Sequence, residues 1–363
     1  MKDEAILFSS NNVFSEFDIN YENASQKHLN DAAISECATL RFGPIYKGVQ
    51  LYFLDMSTGS TTGTFKDWVA CATVAYCHQN GIKEFVTQSS GNTANALAQY
   101  CEKNKLKANI FYLKDNIYKI KPRCFEERKY VTVYEVSTTE KRMKELTAEF
   151  SNQNKIPWLP NLELQIKGNS IRADIINHVS KLHAIRFDWL SQALSSGYGV
   201  FGFYDGIRRL GKDALSDYKF IGVQQTAVCP FVKRFSPHLV NSATLKNEKV
   251  IERTLFRSTP TEQLYDLMDA ILKEFGGELA LISNADYSSI SSLATNILSQ
   301  SGMDVIRDVN GEHYEKSGLI NLVGVIKLID EGIVKRGETV LVSVTGGCGN
   351  PPIEYITPDF IKK

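Results

Sequence analysis

With 363 residues, 43% of them hydrophobic, the chain holds enough material for roughly two domains, or for one large lobe with a smaller one inserted in it. Lys plus Arg balance Asp plus Glu at 41 each, so no bulk field draws nucleic acid or an anionic membrane, and any anion site has to be local. The polar N-terminus lacks a secretory pattern and no apolar run is long enough to span a bilayer, which predicts a cytoplasmic protein without membrane partners. Seven cysteines, at positions 37, 71, 77, 101, 124, 229 and 348, show no C-x-x-C pairing. Several fall in apolar helical stretches, so they read as buried free thiols rather than a disulfide framework or a zinc site. The histidines have no metal-ligand spacing, and no metal is expected.

Residues 1–50 read as irregular and polar, punctuated by Phe8, Phe14, Phe17 and Tyr21, and no role is assigned to them. Gly59 to Thr64 are small, turn-forming residues leading to Lys66; Val69, Ala72, Thr73, Tyr76 and Cys77 follow at helical spacing, and Gly81 is a natural stop. Glu84–Gln88 reads as a strand, Thr93–Asn104 as a helix, and Asn109–Leu113 and Val131–Val136 as further strands. Thr138 or Thr139 caps a helix carrying Met143, Leu146 and Phe150, and a short strand near Ile156–Leu159 closes the unit. The alternation resumes with a helix through Ile171, Ile175, Val179 and Leu182, a strand at Asp188–Leu194, a loop at Ser195–Gly199 and a helix at Val200–Leu210. Strands at Phe220–Gln224, Leu279–Ser283 and Val340–Val344 interleave with helices through Leu264–Phe275, Ile290–Leu298 and Leu319–Ile329. Strands alternating with helices predict an α/β fold with mostly parallel sheets.

In such sheets ligands gather at the carboxyl ends of strands. Four loops at or near such ends are built from Gly, Ser, Thr and Asn: the one around Lys66, Ser89–Thr93, Ser195–Gly199 and Thr345–Asn350. Taken singly, each has a bland alternative. A lysine beside a helix start is usually a solvated surface group, and a Ser/Asn-rich strand–helix turn is usually only a capped turn. Together they make a site. Lys66 is placed to form an imine with an aldehyde if its surroundings lower its proton affinity. Ser89–Thr93 can hold a carboxylate or phosphate at a positive helix end, and Ser195–Gly199 has the same geometry. Neither a spaced G-x-G-x-x-G nor a Walker lysine is present.

The set Thr64-Phe65-Lys66-Asp67, then Ser90-Gly91-Asn92-Thr93 some two dozen residues on, a Gly loop past mid-chain and a terminal Val344-Thr345-Gly346-Gly347 resembles the fold-type II pyridoxal-phosphate enzymes, the group of tryptophan synthase β, cysteine synthase and threonine synthase. The threonine synthase branch, with the cysteate synthases beside it, is the nearest match, from about residue 40 to 350. The resemblance implies two lobes, each with a mostly parallel sheet flanked by helices: residues 1–75 as the N-terminal part of the large lobe, 76–167 as a smaller inserted lobe, and 168–363 as the remainder of the cofactor-binding lobe. It implies pyridoxal 5'-phosphate as cofactor, an amino acid as substrate and a homodimer.

It also implies roles. Lys66 would hold the cofactor as an imine and then shuttle the substrate α-proton. Asn92 would donate to the cofactor's phenolate oxygen, and Thr345 would bond the ring nitrogen. Ser195, Ser196, Gly197, Tyr198 and Gly199 would bind its phosphate. Thr64, Ser89, Ser90, Gly91 and Thr93 would clamp the substrate. A hydroxyl facing the ring nitrogen favours elimination or replacement on the substrate side chain over transamination. The implied activity is elimination or replacement at the β or γ carbon, threonine synthase-like and on a phospho-amino acid; the alternatives are cysteate or cysteine synthase-type β-replacement, and cofactor binding without turnover. Two departures bear on this. Tyr198 interrupts the run of glycines, and Gln165 stands where threonine synthases carry the arginine that holds the substrate phosphate, with Lys167 nearby. A neutral amide replaces a bidentate guanidinium poorly, which argues against phosphohomoserine.

Overall fold

The computed structural model describes the chain apart from residues 1–5, 8–13, 15–16, 18–23, 35–37, 59, 90, 120–123, 126–127, 212–217, 242–244, 246, 258, 304–314, 347–360 and 363. In chain order the elements are β1 (Ile6–Leu7), α1 (Gln26–Ala32), β2 (Thr39–Tyr46), β3 (Val49–Asp55), α2 (Lys66–Gln79), β4 (Glu84–Gln88), α3 (Asn92–Lys103), β5 (Lys107–Leu113) and β6 (Val131–Val136). They continue with α4 (Glu140–Asn154), α5 (Leu162–His183), β7 (Trp189–Ala193), α6 (Tyr198–Leu210), β8 (Lys219–Gln225), α7 (Pro230–Phe235) and α8 (Glu262–Phe275). The last are β9 (Gly277–Ile282), α9 (Asn284–Gln300), α10 (Lys316–Asp330), β10 (Thr339–Val344) and β11 (Ile361–Lys362).

Two sheets result, one ordered β1-β2-β3-β10-β7-β8-β9 and one ordered β11-β6-β5-β4. From β3 to β9 the large sheet is parallel, and the small sheet is parallel throughout. The α/β expectation with parallel-rich sheets holds. β10 lies between β3 and β7, and five of its six residues are buried, which is why TVLVSV is a near-continuous apolar run.

Residues 39–50 differ from the irregular segment expected over 1–50: they belong to the antiparallel hairpin β2–β3, which runs on to Asp55. Gly43 and Pro44 break the strand signal, and the register shifts between Phe42 and Ile45 to accommodate them. Lys47 (φ 47°) and Gly48 (φ 86°) make the tight turn, the left-handed pair that a two-residue hairpin requires. The strand expected near Ile156–Leu159 is only a bridge between Val86 and Trp158, because Pro157 and Pro160 can donate nothing to a ladder. The expected loop at Ser195–Gly199 is shorter than its sequence suggests, since α6 already begins at Tyr198.

The lysine helix α2 starts two residues earlier than its apolar spacing indicates. Ten of its residues are buried, among them Trp68, Val69, Cys71, Val74 and Cys77. It shows no apolar stripe because it is covered on every side, packing against α1, α3 and α5. Gly168 of α5 lets the backbones meet: a Cβ there would stand 2.7 Å from the Cα of Val69. The five described cysteines, Cys71, Cys77, Cys101, Cys124 and Cys229, are free and buried. Burial pushes the Cys77 thiol up to about 12, so it stays protonated and inert. Among the described residues no helix is long and apolar enough to cross a membrane, and no group of His, Cys, Asp and Glu could hold a metal ion.

Candidate active site

The four loops, which follow β3, β4, β7 and β10, meet at one cavity of about 480 Å³. Lys66, Ser89, Gly91, Asn92, Thr93, Ser195, Ser196, Gly197, Tyr198, Gly199 and Thr345 all line it, so candidates far apart in the sequence open onto one cavity. Ser90 and the run from Gly347 to Asn350, with Cys348, lie outside the described residues. Thr64 sits elsewhere than its expected place against substrate. It is fully buried behind Lys66 and its hydroxyl accepts the Lys66 amide at 3.2 Å, so it holds the lysine's backbone.

The loop before Lys66 is sewn down at both ends. Asp67 accepts from the Thr62 amide at 2.9 Å and from the Thr62 hydroxyl. The Phe65 amide donates to the Thr345 carbonyl (3.3 Å), and the Met56 amide to the Val344 carbonyl (2.9 Å), tying the loop to the end of β10. Gly346 (φ 90°) closes the junction; a Cβ there would meet Thr64 Cα at 2.8 Å. The Lys66 side chain faces the cavity, with its Nζ 4.5 Å from the Phe65 ring centre and 5.8 Å from that of Tyr198. Burial first, and the Arg172 charge second, bring its amine down to about 8. That leaves a useful fraction unprotonated near neutral pH, as an imine-forming lysine needs.

Two helix starts supply anion-binding ends. Gly91 is the N-cap of α3, with Asn92 and Thr93 in its first turn. Gly197, in the left-handed region at φ 81°, is the N-cap of α6. Neither cap residue has a side chain to occupy the helix's positive end, so both are left to the cavity.

Sequence reasoning missed the wall behind Thr345. Ser317 lines the cavity, and its hydroxyl lies 3.2 Å from that of Thr345. Glu315, the N-cap of α10, accepts from the Ser317 hydroxyl and the Gly318 amide, and from the Gly346 amide at 2.6 Å. Burial pushes its carboxyl up to about 8 against those bonds. The signal was an acidic residue capping a strongly apolar helix with a serine two positions on. Gln192 and Arg257 were missed as well. Gln192 is a polar residue on a fully buried strand, and Arg257 reaches the cavity from an irregular segment with no periodic signature. Gln165 is at the wall, its Oε1 buried without a hydrogen-bond partner.

A depressed-pKa lysine, two uncapped helix starts and paired hydroxyls around one cavity fit pyridoxal phosphate group by group. Residues 40–346 match the family described as pyridoxal-phosphate dependent enzyme. The chain belongs to that family. Pyridoxal phosphate is therefore the enzyme's cofactor. The enzyme is 21% identical over 311 residues to a cysteate synthase of Methanocorpusculum labreanum, spanning 82% of this chain and 71% of that one. Its fold is similar to an aspartate racemase dependent on pyridoxal 5'-phosphate (TM-score 0.63, 16% identity, 93% of this chain and 99% of that one). It is also similar to the processed threonine deaminase isoform 2 of Solanum lycopersicum (TM-score 0.59, 16% identity, 86% and 80%). A third likeness is to the serine racemase of Dictyostelium discoideum (TM-score 0.60, 18% identity, 84% and 89%).

Proposed function

We propose that the enzyme eliminates or replaces a leaving group on the side chain of an amino acid that carries an anionic substituent. The observation that carries this reading is the convergence, on the Lys66 amine, of two uncapped helix starts and a hydroxyl pair. The α6 end, Ser195 to Gly199, would hold the cofactor phosphate, Asn92 its phenolate oxygen, and Thr345 with Ser317 its ring nitrogen. When bound, the cofactor supplies an electron sink for the carbanion left by α-proton removal. Gly91 and Thr93, at the start of α3, would take the substrate carboxylate, with Ser89 beside them. Lys66, its amine lowered to about 8, would take the α-proton in its unprotonated form and return it. Arg257 and Lys144 stand on the same wall with Glu140, which lies 4.0 Å and 3.1 Å from their charged nitrogens, and the net single positive charge of the three favours an anionic side chain or leaving group. Two lobes and a homodimer are the assembly this reading expects.

The neutral Gln165 weighs against phosphohomoserine. The similarity to a cysteate synthase favours a second reading, β-replacement, in which sulfite displaces the group on the β carbon. The test is to offer phosphohomoserine, phosphoserine and acetylserine, with and without sulfite or sulfide, and to follow both the cofactor's visible spectrum and product. Turnover of phosphoserine, abolished in Lys66→Ala, is expected. Cofactor bands that respond to none of these amino acids would leave a binding protein without turnover and would sink the proposal.

A further inference from the structure

Among the described residues, Arg172 is a large cation buried in the core beside the site, on α5 between the apolar residues Ile171 and Ala173. It is 1% exposed, and among the described residues it forms no ion pair. Its Nη1 donates to Gln192 Oε1 at 2.7 Å and its Nε to the Asn169 carbonyl at 3.4 Å, whereas Nη2 is buried without an acceptor. Isolated burial of a charge is among the most expensive arrangements in a protein interior, and folds that keep one give it a partner. Burial alone drags the guanidinium down to about 9.

Its position says which partner. Gly199, in the first turn of α6, exposes backbone where a Cβ would stand 3.0 Å from Arg172 Nη2 and 2.5 Å from Gln192 Nε2. An arginine has only donors, so the Gln192 atom facing it must be the oxygen, which turns the amide nitrogen toward the α6 start. The orphaned guanidinium nitrogen and the oriented amide thus both stand against the Gly199 backbone, behind the Ser195–Gly199 turn. A phosphate ester near neutral pH carries close to two negative charges, and Arg172 is a buried cation that no carboxylate among the described residues balances.

We infer that Arg172, with Gln192 fixed by it, is the countercharge for the cofactor's phosphate. Arg172 acts from behind the Gly197–Gly199 turn, as a positioning residue, and makes the site select the phosphorylated cofactor over the unphosphorylated aldehyde. The inference rests on the reading that places the phosphate at that turn.

The test compares pyridoxal phosphate with pyridoxal, titrated into cofactor-depleted full-length protein by absorbance, for wild type, Arg172→Met and Arg172→Lys. In Arg172→Met the affinity for pyridoxal phosphate is expected to fall by about tenfold to a hundredfold while that for pyridoxal stays within about threefold; Arg172→Lys should keep most of the preference. Cofactor-free Arg172→Met should melt no lower than cofactor-free wild type, because an uncompensated buried charge has gone, and should gain less on loading. Equal loss for both ligands, or an unchanged preference, would overturn the inference and leave Arg172 a structural residue. Should Arg172→Met not fold, Gln192→Leu is read by the same ratio. If wild type itself failed to prefer pyridoxal phosphate, the placement of the phosphate at the turn would fall, and this inference with it.

Discussion

Lys66 is held in a setting that penalises its own charge, and this has a consequence measurable without any substrate. Its amine gives up a proton near pH 8 in the folded protein, against 10.5 in the unfolded chain. Between those values the unfolded chain binds more protons, so the lysine's contribution to stability improves as pH rises through the window; below pH 8 the folded state bears the whole penalty. Cofactor-free Lys66→Met is therefore expected to be more stable than cofactor-free wild type at pH 7 by about 2–3 kcal/mol. The difference should shrink toward pH 10, as read by urea unfolding at both pH values. A gap of the same size at the two would mean that the amine titrates normally. The lysine and its motif were legible in the sequence, as was Asn92. The depression itself was not, because it comes from burial by residues far along the chain and from Arg172, a charge on another helix.

At the scale of elements, α2 shows what a fully enclosed helix asks of its residues. Trp68 is completely buried, yet its indole N–H finds no acceptor. Trp68→Phe is expected to cost no more than about 1 kcal/mol, since the lost volume is offset by removing an orphaned donor, whereas Trp68→Ala should cost about 3–5 kcal/mol. Chemical denaturation midpoints with equal slopes check both; similar losses for the two variants would assign a hidden partner to the indole. The turn between β10 and the cavity is as exacting. Gly346→Ala puts a Cβ on a residue at φ 90° and against Thr64, and is expected to lower stability by about 2 kcal/mol or more and to weaken cofactor retention on dialysis. The Val340–Val344 strand was readable because a parallel strand covered on both faces is apolar throughout. The Thr39–Asp55 hairpin was not: Gly43 and Pro44 interrupt its pattern, and only pairing with β10 shows where its second strand belongs.

Across the whole molecule, helix α10 packs on the strands that end at the site, and one of the side chains fastening it reaches two strands at once. Asn321, fully buried, donates from Nδ2 to the Ser191 carbonyl (3.1 Å), the Ser191 hydroxyl (3.1 Å) and the Ser343 carbonyl (3.0 Å), joining α10 to β7 and β10 at once. Asn321→Leu is expected to destabilise the fold by about 2–3 kcal/mol while leaving cofactor affinity nearly unchanged, because the residue does not line the cavity. Loss of affinity equal to that of a site variant would show that α10 positions the site more tightly than its contacts indicate. The amino-acid sequence by itself determined the alternation of strands and helices, the lysine and asparagine loops, and the resemblance that implied the cofactor, because periodicity and turn chemistry are written in neighbouring residues. Only the tertiary structure decided that Glu315 stands behind Ser317 and Thr345, that Gln192 faces the α6 start, and that Arg172 lies buried with no counterion among the described residues. Burial and charge pairing depend on distances between residues separated by tens to hundreds of positions, and no local pattern encodes them.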